Sequence, residues 1–174
     1  RLVFEEFLQF ILAIRKLKDS NSRMDNENVI PLDLRTEEFQ KALPFELTGA
    51  QQNVWREIQQ DMASEHAMSR LVQGDVGSGK TIVAVLALLN TALKGYQAAM
   101  MAPTEVLARQ HAASFRDLLE PAGIAVVLLT GSLTAKEKRE RLAQVADGTA
   151  QMVIGTHAVI QKGVEFQKLG LAIT

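Results

Sequence analysis

Eight consecutive residues, Gly74-Asp75-Val76-Gly77-Ser78-Gly79-Lys80-Thr81, constrain this chain more than any other stretch. They follow a short apolar run, Leu71-Val72-Gln73, and precede a run in which Val83, Leu86, Ala87 and the 89–93 stretch recur at the spacing of a buried helix face. Strand, glycine-rich turn and helix in that order is the setting in which this pattern binds phosphate. The glycines let successive backbone N–H groups turn inward, and the helix N-terminus adds partial positive charge. Lys80 is the residue that neutralises phosphate, and the Thr81 hydroxyl is the oxygen that ligates Mg²⁺. The plainer alternative is a glycine-rich turn that merely precedes a helix.

The surrounding pattern fits an α/β fold. Past the helix expected over 80–93, which Gly95 stops, strands are expected over 97–102, 124–129 and 151–154, with another beginning at 169–174. Helices alternate with them: one opened by Pro103-Thr104 runs to Leu119 and is ended by Pro121 and Gly123, and a charged one spans 134–146. Short apolar strands alternating with helices predict a parallel sheet covered on both faces.

The first 70 residues read differently. An amphipathic helix is expected over 2–18, with Val3, Phe7, Phe10, Ile14 and Leu17 on one stripe. The 19–35 stretch, rich in Asp, Asn and Ser, reads as a linker or poorly ordered loop. Thr36 is expected to cap a short helix that stops before Pro44, and Thr48 opens a helix to Met62 with Val54, Trp55 and Ile58 inward. The domain division is therefore 1–18 as an N-terminal helix, 19–42 as linker and short helix, and 43–174 as the α/β body.

Composition narrows the function classes. With no cysteine, disulfide scaffolds and zinc ribbons are excluded. No apolar stretch reaches the roughly 20 residues a membrane span needs, and nothing at the start reads as a signal peptide, so a cytoplasmic protein is expected. The net charge of −1 argues against a small dedicated nucleic-acid module. Yet residues 1–70 hold 9 basic and 12 acidic side chains, net −3, while 71–174 hold 10 basic and 8 acidic, net +2.

Upstream of the loop, Phe45-Glu46-Leu47-Thr48-Gly49-Ala50-Gln51 carries two readings. Thr48 with Gln51 three residues on is a capping box that needs no ligand. The Gln51 amide could instead read an adenine edge, with Phe45 lending an aromatic face. Lys136-Glu137-Lys138-Arg139-Glu140-Arg141 invites a DNA-binding reading, but mixed signs at helical spacing fit a solvated helix face better. His66, in a polar turn, reads as solvated.

The T-x-x-Q element, the phosphate loop, Ala102-Pro103-Thr104-Glu105-Val106-Leu107-Ala108-Arg109-Gln110-His111 and Gly155-Thr156-His157-Ala158, in that order, resemble the motifs of the first motor domain of superfamily-2 helicases, and among these the RecG-type DNA helicases. The resemblance covers residues from about 43 to 174, and the opening Arg1-Leu2-Val3-Phe4-Glu5-Glu6 resembles the helix that leads from a wedge domain to the motor. It implies a RecA-like P-loop NTPase fold, ATP and Mg²⁺ as cofactors, and branched or duplex DNA as partner. It implies that Gln51 meets adenine, beside which Phe45 is the aromatic candidate, that Gly74, Asp75, Val76, Gly77, Ser78, Gly79, Lys80 and Thr81 hold phosphates, and that Thr81 ligates Mg²⁺. Pro103-Thr104-Glu105, Thr130-Gly131-Ser132 and Gly155-Thr156-His157 would then sit on the face that tracks DNA. Thr104 could serve as an N-cap at the same time, and His111 and His157 could equally make structural hydrogen bonds.

Such a motor also needs an Asp for Mg²⁺ and an adjacent Glu to activate water, expected just after the 169–174 strand. Neither occurs at another strand end, so the resemblance implies a piece of a larger motor whose second motor domain and wedge domain lie elsewhere in the polypeptide. Such a piece would bind nucleotide weakly and not hydrolyse it. The competing readings are another superfamily-2 DNA translocase such as a transcription-repair coupling factor, a P-loop kinase or nucleotide switch, and an interaction module built on the 3–17 stripe.

Overall fold

A computed structural model describes residues 25–174 together with Leu8, Ile11 and Leu12. Those three early residues are helical, and the rest of the helix expected over 2–18 lies outside the described residues.

Five α-helices are described: α1 (Leu34–Ala42), α2 (Gly49–Met62), α3 (Lys80–Leu93), α4 (Glu105–Leu119) and α5 (Ala135–Ala146). The strands are β1 (Gln97–Met101), β2 (Val126–Leu129), β3 (Met152–Gly155) and β4 (Leu169–Ile173), all parallel and ordered β2-β3-β1-β4. Alternation along each strand sends side chains to opposite faces. Ala98, Val126, Leu128, Met152 and Ile154 pack with α2, α3 and α4, whose Trp55, Leu86, Leu89 and Phe115 fill the larger core. Ala99, Val127, Leu129 and Val153 face the other way, onto Val145 of α5 and onto Ala158 and Val159 of the 3₁₀ turn His157–Ile160. The sheet is thus covered on both faces, as the alternating pattern predicts.

Register decides what gathers at the strand ends. Met101, Gly155 and Leu129 align across β1, β3 and β2, so the loops that follow them leave one edge of the sheet together. α3 turns into β1 through only Lys94, Gly95 and Tyr96, so it runs back along the sheet and puts its first residues at that same edge.

The structure bears on three expectations, filling in the first, whose order the sequence leaves open, and correcting the other two. The 19–35 linker is ordered from Asp25 on: Asp25 bridges His66, the Asn26 N–H donates to Glu65 O (2.7 Å), and the Ile30 N–H donates to Met62 O (2.8 Å). Ile30 itself is 2% exposed in the core. A single well-placed isoleucine and backbone pairing to the end of α2 fix a stretch whose composition reads as loop. Second, Asp33, not Thr36, caps α1, its carboxylate accepting from the Arg35 N–H. Thr36 is buried, and its hydroxyl donates to Asn90 Oδ1 (3.1 Å), a partner supplied by an amide in the last turn of the largely apolar α3. Third, Leu71-Val72-Gln73 forms no strand; Leu71 is 87% exposed. Residues 68–72 instead border an open groove of about 730 Å³ along β4, with Gly170 to Thr174 opposite. A three-residue apolar run buries too little to enforce pairing without further packing on its outer side.

Candidate nucleotide and DNA site

The glycine-rich loop leads directly into α3, whose Lys80, Thr81, Val83 and Ala84 line that groove. The Ser78 N–H donates to Asp75 O (3.1 Å), closing a turn, and Gly77 and Gly79 hold φ of 84° and 74°. These left-handed values are strained for any residue with a side chain. A Cβ on Gly74 would stand 2.7 Å from Ser78 Oγ, and one on Gly79 would overlap the Gln51 amide. The glycine pattern therefore answers both to dihedrals and to space. Val76 forms the fully exposed tip.

Helix ends separate this loop from the rest of the molecule. α1, α2, α4 and α5 each have a side chain satisfying N-terminal N–H groups: Asp33, Thr48, Thr104 and Thr134. α3 begins at Gly79 with no such cap. Its first N–H groups stay available to an anion, supported by the helix dipole. Lys80 Nζ donates to Gly74 O (2.7 Å) and Asp75 O (2.8 Å), which holds the ammonium over the loop. Thr81, on the first turn, is exposed.

The two readings of Gln51 meet in one geometry. The capping box is present: Gln51 Oε1 accepts from the Thr48 N–H (2.9 Å), and Thr48 Oγ1 accepts from the Gln51 N–H (3.3 Å). The other end of the amide donates to Ser78 O (2.9 Å) and so ties α2 to the loop. Beside it lies an apolar groove of about 420 Å³, lined by Phe45, Gln51, Gly79, Ile82, Val85 and Leu118 among others. Leu118 and Phe115, also on its wall, could have been read from helical spacing only as core.

The three loops expected on the DNA face leave the common sheet edge, but not all of their residues reach the surface. Pro103 and Thr104 are exposed, and Thr104 Oγ1 accepts from the Leu107 N–H (3.3 Å), as an N-cap. Gly131, Ser132 and His157 are exposed and Thr156 is half-buried. Thr130 and Gly155 are buried, so in this structure neither presents a surface to a DNA strand. Gly155 is a packing glycine: a Cβ there would overlap Leu129 O and stand 2.6 Å from Val159 Cγ2. The Glu105 carboxylate turns to Ser132, accepting from its N–H (3.0 Å) and Oγ (2.6 Å), while Arg109 Nη2 donates to the same Oγ (2.8 Å). Hydrogen bonds from Ser132, then from Thr130, with Arg109 nearby, hold the Glu105 carboxyl below its usual pKa. No sequence signal links Glu105 to Ser132, 27 positions apart.

Other expectations resolve locally. The His111 ring packs on Phe115, with centroids 5.8 Å apart. Glu137 closes a second capping box with Thr134, which anchors the charged α5 as a solvated helix. Among the described residues no group of three or more His, Cys, Asp or Glu side chains could hold a metal, and no helix is long and apolar enough to cross a membrane.

A glycine-rich loop leading into the uncapped N-terminus of α3, a capped α2 tied to it through Gln51, and a parallel four-stranded sheet covered by helices define a RecA-like α/β lobe. The DEAD/DEAH box helicase family model matches residues 48–174, and the chain belongs to that family. Its relatives there include the ATP-dependent DNA helicase RecG: the chain is 47% identical to that of Bacillus subtilis (strain 168) over 182 residues and 48% identical to that of Streptococcus pneumoniae serotype 4 over 176 residues. These alignments take in 100% and 99% of this chain but 26% of each relative, so the chain spans about a quarter of their length. A solved structure of RecG bound to a three-way DNA junction is similar with a TM-score of 0.86 and 42% identity, over 97% of this chain and 23% of that one. A hypothetical ATP-dependent RNA helicase from Sulfolobus tokodaii shares the fold alone, with a TM-score of 0.57 at 22% identity over 77% of this chain and 38% of that one.

Proposed function

We propose that this chain forms the ATP-binding lobe of a RecG-type cytoplasmic motor that remodels branched DNA, in fork reversal and Holliday-junction branch migration, within a longer polypeptide that also carries a second motor domain and a wedge. One observation supports this above the others. The helix N-terminus that lacks a side-chain cap carries the phosphate loop, and it opens on the sheet edge from which 103–105, 130–132 and 155–157 also leave.

The residues present fit Mg²⁺-ATP. The glycines at 74 and 79 stand where a side chain would collide, the N–H groups of α3 are free of caps, and Lys80 already lies over the loop. Residues 74–79 with Lys80 would hold the phosphates, Thr81 would ligate the metal, and Phe45 with Gln51 would flank adenine in the apolar groove. When bound, the nucleotide supplies the phosphoanhydride whose cleavage drives the motor. Gln51 also holds Ser78 O, so a base seated against its amide is mechanically continuous with the loop. Lys80, Thr81 and the end of β4 border one groove, and an Asp-Glu pair following β4 would face it.

The reading is tested by ATP binding and fork regression. Lys80→Ala in the full-length protein is expected to lose ATP binding and fork regression together, while the present chain binds ATP weakly without turnover. Unchanged ATP affinity in the Lys80→Ala protein, or Lys80-dependent hydrolysis by this chain alone, would refute the assignment.

A further inference from the structure

We infer that Glu105 is a positioning residue that braces two DNA-facing loops against each other and does not itself contact DNA. The inference rests on the proposed function and refines it at one cluster of side chains. Glu105 opens α4 after the Pro103-Thr104 turn, and Ser132 lies in the loop after β2; β3 separates these two strands in the sheet. The Glu105 carboxylate spans that gap and accepts both the backbone N–H and the hydroxyl of Ser132. From one turn further along α4, Arg109 donates to the same hydroxyl. Thr130 Oγ1, buried beneath, stands 3.4 Å from Ser132 Oγ and completes the cluster.

The chemistry of that cluster separates bracing from contact. A carboxylate pointed at a phosphate backbone repels it, so a Glu on a DNA face is unfavourable unless its charge is otherwise engaged. Here Ser132 engages it from two donors, and the Arg109 guanidinium carries compensating charge to the same edge. The backbone of 130–132 is thereby held in one arrangement relative to Pro103 and Thr104. Fixed spacing between two phosphate-contacting loops sets the register of a strand laid across them.

The two roles predict opposite signs. If Glu105 merely faces DNA, removing its charge tightens binding. If it braces, Glu105→Ala in the full-length protein weakens affinity for a synthetic forked duplex by about three- to tenfold, the range of a lost contact network. Glu105→Gln keeps an oxygen acceptor for Ser132 and is expected to restore affinity to at least the wild-type value. Ser132→Ala alone should also weaken binding, and adding Glu105→Ala to it should cost little more. Affinities measured by fluorescence anisotropy would overturn the inference if Glu105→Ala binds as tightly as wild type or tighter, or if the two alanine effects multiply. Amide exchange at Ser132, measured without DNA, reads the brace directly: it should quicken in Glu105→Ala and stay slow in Glu105→Gln, and equal rates in all three proteins overturn the inference as well. Failure of the wild-type protein to bind forked DNA would instead sink the functional reading, and this inference with it.

Discussion

Asn90 offers the sharpest test of how the N-terminal segment is held to the body. It is a fully buried amide near the end of α3, among mostly apolar neighbours on that helix. Its Oδ1 accepts from the Asp33 N–H (2.8 Å) and from Thr36 Oγ1 (3.1 Å), and its Nδ2 donates to Pro31 O (3.3 Å). Asn90→Leu keeps a side chain of similar shape and removes all three bonds. Pro31 is exposed, so water can replace the amide at its carbonyl. The part-buried Asp33 N–H and the buried Thr36 hydroxyl are left without their partner, at about 1–3 kcal/mol each when burial is complete. Thr36 can recover part of its share by turning to a carbonyl of its own helix, which brings the expected loss to about 2–4 kcal/mol. At roughly 2–4 °C per kcal/mol for a domain of this size, Tm falls by about 5–15 °C. Urea unfolding followed by the fluorescence of Trp55, which is the chain's one tryptophan and is 3% exposed, measures this directly. A second substitution, Thr36→Val, removes the stranded hydroxyl, so Asn90→Leu/Thr36→Val should be no less stable than Asn90→Leu alone. A loss under about 0.5 kcal/mol for Asn90→Leu, the scatter of ordinary surface substitutions, would refute the claim that this amide anchors the segment.

Two further outcomes follow from the same geometry. Gly155→Ala should destabilise by about 1–3 kcal/mol, because its methyl must push β2 and β3 apart or displace Val159; an unchanged urea midpoint would contradict that packing. Asp33 is held well below the ordinary carboxylate range, first by the hydrogen bond from Arg35 and further by the nearby charges of Arg35 and Lys94, so its stabilisation is present above the unfolded carboxyl pKa of about 4 and is lost as pH falls toward the folded value. Asp33→Asn keeps a competent N-cap. The Tm gap between wild type and this variant should therefore close as pH is lowered below about 4, and a gap that stays constant to pH 2 would count against the assignment.

What could be read from the sequence depended on how local the cause was. The helix over 80–93 and the starts of α2 and α4 were legible because Thr48, Thr104 and the glycine run sit beside the turns they set. The phosphate loop was legible for the same reason, with all of its groups contiguous. The 25–33 segment was not, because its order comes from Ile30 in a distant core and from Asn90, more than 50 positions away. Leu71-Val72-Gln73 had the composition of a strand, but pairing is decided by what lies against it. At 103–105, 130–132 and 155–157, motif order picked out loops that leave one edge of the sheet, yet it could not tell the exposed Ser132 from the buried Thr130 and Gly155. That distinction arises only when three strands are set in register.

The open side of β4 bears on how the purified chain will behave. Asn28 Nδ2 meets Leu169 O at the start of that strand (3.3 Å). Along the rest of the outer side no neighbouring strand is paired among the described residues, and the groove beside it is bordered by Met68, Leu171 and Ile173. Exposed parallel edges of this kind recruit other chains into oligomers and aggregates. Dilute samples and solubilising charges near 68–72 therefore belong in any protocol that studies this lobe by itself.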